Sequence, residues 1–239
     1  RWPNVTALAA ADDAELMAAW AGLGYYARAR NLLACARTVI ADHGGRFPET
    51  ETRLRTLPGI GNYTAAAIAA IAFGVRAVVV DANVERVVAR LFTIETPLPA
   101  AKPQIHAACD RITPQHRSGD FAQAMMDLGA TVCTPRNPDC HACPLAAHCL
   151  ARKAGNAERL PIKPVKAAKP QRTGTAFWIE KDDHVWLVQR SAKGMLAGMR
   201  ALPDDGWMAQ ADGHGQPPIE AAWQQRNESV SHVFTHFGL

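Results

Sequence analysis

The chain has 239 residues, room for two modest domains or one large one. Hydrophobic residues make up 48% and charged residues 20%, the proportions of a soluble globular protein. The net charge of +4 is uneven: residues 1–170 carry 20 Lys/Arg against 14 Asp/Glu, a surplus of six, while residues 171–239 carry 6 against 8, a deficit of two. A basic first part suits a polyanionic partner, although an ordinary solvated surface accounts for the charge equally well.

No apolar run is long enough to cross a bilayer; the most apolar, residues 65–73, is Ala-rich and short. Arg1-Trp2-Pro3 shows no secretory-signal pattern. The absent initiator Met and the stop at Phe237-Gly238-Leu239 read as cut ends.

Taken in order, residues 1–150 read as helical. Asp12, Asp13 and Glu15 place acids at a helix start ahead of Leu16, Met17, Ala19 and Trp20, and Gly22 and Gly24 break that helix. A second helix is expected over residues 27–42, stopped by Gly44-Gly45. Leu57-Pro58-Gly59-Ile60-Gly61 is a turn, followed by a helix over residues 63–72 that Gly74 closes. Residues 82–92 put Val84, Val87, Val88 and Leu91 on one helical face, and another helix is expected over residues 118–128. Residues 155–173, with Pro161, Pro164, Pro170 and three lysines, read as a linker. Beyond it, residues 175–179, 185–189 and 230–237 are expected strands of a second, β-rich domain.

Six cysteines are present, and four of them fall between residues 133 and 149. Such clustering, without a signal peptide, argues for a metal site in a reducing compartment rather than for disulfides. The spacing is Cys133-x6-Cys140-x2-Cys143-x5-Cys149, in a loop stiffened by Pro135, Pro138 and Pro144. Structural zinc sites usually pair two Cys-x2-4-Cys knuckles across a longer gap, whereas four cysteines from one compact loop suit a [4Fe–4S] cube; zinc is the alternative.

This loop resembles that of the endonuclease III and MutY branch of DNA glycosylases, in which it binds one [4Fe–4S] cluster and lies against the DNA backbone. By that resemblance Cys133, Cys140, Cys143 and Cys149 are the metal ligands, and Arg136 and His141 are phosphate contacts or plain loop residues. The segment Leu57, Pro58, Gly59, Ile60, Gly61 is similar to the helix–hairpin–helix of the same enzymes, whose backbone amides hold a DNA phosphate without reading sequence.

Three valines, Val78 to Val80, then lead to Asp81 at an apparent helix start. The ordinary role of Asp there is an N-cap. The functional role is a negative charge facing the oxocarbenium ion that forms when an N-glycosidic bond breaks. Residues 80–84 resemble the family's V-D-G-N-V segment, with Ala82 in place of Gly, which makes Asp81 the catalytic aspartate and adds Asn83 to the catalytic set.

The resemblance also separates the branches. Endonuclease III-type lyases carry a Lys nucleophile where this chain has Tyr63, and MutY-type adenine glycosylases carry Ser or Tyr there. A hydroxyl at 63 is expected to reach Asp81 or the flipped nucleotide. Residues 22–31 are similar to the loop whose tyrosine, here Tyr25, wedges into the base stack. Residues 121–129 match the stretch in which an amide, here Gln123, reads the adenine edge. Residues 196–203, and the segment with Phe234, Thr235 and His236, resemble a Nudix-like domain that checks for 8-oxoguanine; the Nudix box is not among these residues, which argues against a pyrophosphohydrolase.

The expected architecture is a mainly α glycosylase domain over residues 1–154, a linker over 155–173, and a partial α+β Nudix-like domain over 174–239. The implied activity is monofunctional hydrolysis of adenine from A:8-oxoguanine or A:G pairs in double-stranded DNA, by a monomer with no membrane partner. Its implied location is the bacterial cytoplasm and nucleoid, or the nucleus or mitochondrion of a eukaryote. The family's general acid, a Glu on an earlier helix, has no counterpart here; Glu15 lies on a different helix. The chain alone is therefore expected to be inactive, and a non-catalytic lesion-binding protein is the alternative.

Overall fold

The computed structural model describes residues 1–165, 168–191, 196–226, 228–234 and 237–239, and the chain divides into units at Arg1–Pro164 and Val165–Leu239.

The first unit is all helical: α1 (Val5–Ala9), α2 (Asp13–Ala19), α3 (Tyr26–His43), α4 (Glu51–Leu54), α5 (Asn62–Phe73), α6 (Ala82–Leu91), α7 (Lys102–Ile112), α8 (Ser118–Thr131) and α9 (Leu150–Lys153). Side chains start several of these. Asp12 accepts from the amides of Ala14 and Glu15 at the head of α2, and Thr50 caps α4 through the amide of Arg53. Gly44 and Gly74 end α3 and α5 in the left-handed conformation that only glycine adopts freely.

Two apolar cores organise the helices. One gathers Val39 of α3, Leu54 of α4 and Ala65, Ala66, Ala69 and Ala70 of α5. The other gathers Val84, Val87 and Val88 of α6 with Ile105, Ala108 and Cys109 of α7 and Met125 of α8. Helix α8 joins them, because it packs on both α5 and α6. The approach is close: a methyl group on Gly119 would run into the Ala70 carbonyl, and one on Gly129 would lie 2.7 Å from Asn83 Cβ. Small residues on α5 and α8 thus bring three helices together, and those helices carry the candidate site. Among the described residues no helix is long and apolar enough to cross a membrane.

Two features depart from expectation. Helix α7 was not read in the sequence, although Ile105, Ala108, Cys109 and Ile112 share one helical face. The strands are shorter than expected. Among the described residues, the second unit holds two antiparallel two-stranded ladders, β1 (Glu180–Lys181) with β2 (His184–Val185) and β3 (Val188–Gln189) with β4 (Arg200–Ala201). Residues 175–179 form one isolated bridge, Ala176 to Asp204, and the described part of residues 230–237 forms only the bridge from Val233 to Gly238. A run of β-forming residues becomes a ladder only where a partner strand lies alongside.

Residues 155–162 pack within the first unit. They include a 3-10 turn (Ala157–Arg159) and buried Leu160, and the Leu98 amide donates to the Ile162 carbonyl at 2.8 Å.

Candidate DNA-glycosylase site

Asp81 is the N-cap of α6, and both of its carboxylate oxygens are held. Oδ1 accepts from the Val84 amide at 2.7 Å, and Oδ2 accepts from Asn83 Nδ2 at 3.1 Å. The cap that an Asp makes at a helix start therefore also orients the carboxylate, within the positive end of the helix dipole. Asn83 is fixed in turn, since its Oδ1 accepts from Arg86 Nη2 at 2.9 Å. Arg86 goes on to donate to the Gly129 carbonyl at 2.6 Å and, through Nε, to the Cys133 carbonyl at 2.7 Å.

Sequence reading passed over Arg86 and its neighbour Arg90, four residues on. Both are buried, and Arg90 is only 1% exposed. Arg90 donates to the carbonyls of Thr134 (2.7 Å), Pro135 (3.1 Å) and Leu160 (3.0 Å), and lies 3.3 Å from Cys133 Sγ. An Arg fork fully surrounded by carbonyls is the form in which a cation tolerates burial. Two charges at i and i+4 on a helix otherwise rich in valine were the available signal.

Cys133, Cys140, Cys143 and Cys149 line one cavity together with Arg90 and Arg152. Among the described residues, no three His, Cys, Asp or Glu side chains come close enough to hold a single metal ion. Burial first, then the charges of Cys133, Cys149 and Cys143, pushes the Cys140 thiol up, with Arg152 opposing. Four sulfurs lining one cavity beside a buried guanidinium fit a group that carries net negative charge once the thiols are deprotonated. Arg136 and His141 are exposed on the same loop. Cys35 and Cys109 are buried core residues outside the loop.

Tyr63, on the first turn of α5, is 43% exposed, and its hydroxyl lies 3.5 Å from Met126 Sδ rather than on Asp81. Burial, and then the charge of Asp81, raises its pKa, so the phenol stays protonated at neutral pH. Gln123 lies one turn before Met126 on α8, is exposed, and donates to its own helix at the Gly119 carbonyl, 3.3 Å away. Helix packing thus sets Tyr63 of α5 against Met126 of α8 and near Asp81 of α6.

The hairpin joins α4 to α5. Leu57 is buried and anchors it, while Gly59 sits at φ +77° against Asn31 of α3, where a methyl group would lie 2.7 Å from Asn31 Cβ. Pro58 and Ile60 are partly buried. Gly61 has no side chain to cap α5, which leaves the first amides of that helix to solvent or a ligand. Tyr25 stands at the start of α3, 69% exposed. In the second unit Phe234 stacks on Phe237 at 4.7 Å, and Thr235 and His236 lie outside the described residues.

Residues 1–115 match the HhH-GPD superfamily of base excision DNA repair proteins, and residues 133–149 match the iron–sulfur binding domain of endonuclease III. A thermostable thymine-DNA glycosylase of known structure is 31% identical, with a TM-score of 0.57 over 63% of this chain and 70% of that one. An endonuclease III solved in a non-covalent complex with DNA is 28% identical, with a TM-score of 0.56 over 64% of this chain and 72% of that one. The chain belongs to the HhH-GPD superfamily of base excision DNA repair proteins, in the group that carries the iron–sulfur loop.

Among curated relatives, the adenine DNA glycosylase of Homo sapiens is 45% identical over all of this chain and 54% of its own length. The adenine DNA glycosylase of Mycolicibacterium smegmatis is 43% identical over 65% of this chain and 53% of its own. The chain thus spans about half the length of these relatives.

Proposed function

We propose that this chain forms part of a monofunctional adenine DNA glycosylase that removes adenine paired with 8-oxoguanine or guanine in duplex DNA. The observation that carries the reading is Asp81, a carboxylate held at both oxygens beside a tyrosine rather than a lysine. The adenine-specific names of the curated sequence relatives favour adenine over the thymine-directed chemistry of the structural neighbour.

In this reaction the bond between the sugar C1′ and adenine N9 breaks. Adenine leaves with the bonding electron pair and takes up a proton, the sugar becomes an oxocarbenium ion, and water adds to C1′ with loss of a proton. Asp81 faces that cation, and because Val84 and Asn83 hold it in place it need not reorganise as charge develops. Tyr63 offers no amine to attack the sugar, so no Schiff base forms and the backbone stays whole. Tyr25 fills the gap that the flipped adenine leaves, and Gln123 turns its amide from Gly119 to the adenine edge. The hairpin amides at residues 57–61, with Arg136, hold phosphates. The four loop cysteines hold one [4Fe–4S] cluster, which supplies a rigid, charged support for the DNA-facing loop. The second unit is the Nudix-like reader of 8-oxoguanine, through Phe234, Thr235 and His236. The protein acts as a monomer, in the bacterial nucleoid or in a eukaryotic nucleus or mitochondrion.

Single-turnover cleavage of an A:8-oxoguanine duplex by the full-length protein tests the reading. Adenine release without strand scission is expected, and Asp81→Asn should abolish it while duplex binding persists. Binding with no release by the unmutated protein would favour the lesion-binding alternative, which has no need of the general acid.

A further inference from the structure

The loop that leads into α3 is built around an aromatic residue in an unfavourable backbone conformation. Gly22 and Gly24 take φ of +85° and +65°, and Tyr25 follows at φ +47° and ψ +48°. Bulky side chains rarely occupy that region, and they stay there only where the surroundings hold them. Here Trp20 Nε1 donates to the Gly24 carbonyl at 3.0 Å, which fixes the peptide just before Tyr25. The Arg28 amide donates to the Tyr25 carbonyl at 2.8 Å.

The Arg28 side chain completes the arrangement. Its guanidinium carbon lies 5.2 Å from the Tyr25 ring centroid and 5.9 Å from the Trp20 ring centroid. Among the described residues no carboxylate pairs with it. A planar cation thus bridges a half-buried indole and an exposed phenol ring.

We propose that Arg28 is the positioning residue for Tyr25, tying its ring to Trp20 so that the side chain is aimed before DNA arrives. The proposal rests on the reading of Tyr25 as the residue that enters the base stack. An exposed ring that must be ordered on insertion slows that step and weakens the complex; a ring ordered in the free protein does neither. Lysine does not replace arginine in this role, because an ammonium lacks the planar, delocalised cation that packs on aromatic rings.

The test compares wild type with Arg28→Met and Arg28→Lys, and then with Tyr25→Ala. In the free protein, hydrogen exchange at the amides of residues 22–26 should quicken in both Arg28 variants. Stopped-flow fluorescence of a duplex with 2-aminopurine as the target base should show flipping slowed about two- to fivefold, the range of an exposed cation–π contact. In the Tyr25→Ala background Arg28→Met should cost nothing further, since the pair acts as one unit. Wild-type exchange and flipping in Arg28→Lys would overturn the proposal. So would an equal loss of affinity for damaged and undamaged duplex with a salt slope smaller by about one, the mark of a phosphate contact only. If exchange quickens as expected but Tyr25→Ala flips the base at the wild-type rate, the reading of Tyr25 falls and the proposal with it, while the contact in the free protein stands.

Discussion

At the scale of single residues, Asp81 unites two roles that look like rivals in the sequence. It caps α6 through the Val84 amide, and the same contact points its carboxylate. An N-cap and a catalytic carboxylate need the same thing, a helix terminus that favours negative charge. Asn accepts the capping hydrogen bond almost as well as Asp, so Asp81→Asn should leave thermal stability within about 1 kcal/mol of wild type by calorimetric melting. A larger loss would show that the charge also serves the fold. Tyr63→Lys tests the branch. The unmutated protein should give little covalent complex with DNA under borohydride, and a lysine beside Asp81 should give some trapping. The gain should be weak, because the amine must lose its proton near a carboxylate that stabilises the charged form. Strong trapping and strand cleavage by the unmutated protein would move it towards the lyases.

At the scale of elements, α6 is the connection between the two chemical features of the first unit. One end presents Asp81, and its buried arginines bind the backbone at Cys133, Thr134, Pro135 and Leu160. Replacing Arg90 by Met leaves the Thr134, Pro135 and Leu160 carbonyls without this donor and should cost about 3–5 kcal/mol, with weaker visible absorbance of the purified protein. Arg90→Lys should not restore either property, because an ammonium cannot reach acceptors spread around a fork. Full colour and stability in Arg90→Met would mean that the loop holds itself. Gly129→Ala tests the contact of α8 with α6: the added methyl would meet Asn83 Cβ at 2.7 Å. Either Asn83 or the helix must move, so base removal should slow and unfolding should fall by about 1–3 kcal/mol. An unchanged rate would show that Asn83 does not orient Asp81.

At the scale of the whole molecule, metal content and alkaline stability give independent readouts. The purified protein should be brown, bleach on oxidation and carry about four irons per chain; stoichiometric zinc without iron would overturn the cluster assignment. Burial raises the Cys35 and Cys109 thiols above the usual 9.0. The folded chain then holds those protons to higher pH than the unfolded chain, so stability is intact below about pH 9 and falls as pH rises through the raised values. Replacing both by Ala should flatten that alkaline slope in denaturant titrations; an unchanged slope would place its origin elsewhere.

Much was legible from residue order because its causes are local. Glycines at 44 and 74 stop helices wherever they occur, the turn at 57–61 follows from its own Pro and Gly residues, and cysteine spacing puts four thiols in one short loop. Helices α2, α3, α5, α6 and α8 followed from acids at their starts, glycine stops and apolar periodicity in the same way, whereas α7 did not. Tertiary structure alone decided what depends on distant neighbours. Among the described residues, 175–179 and the described part of 230–237 form isolated bridges rather than long strands. The Tyr63 hydroxyl turned to Met126, 63 residues away, instead of Asp81. Arg86 and Arg90 read locally as charges on a helix, and only the packing of α6 against α8 and the cysteine loop buries them among carbonyls. Burial and hydrogen-bond partnership belong to the assembled chain, so a buried cation and a solvated one share the same letter until the helices meet.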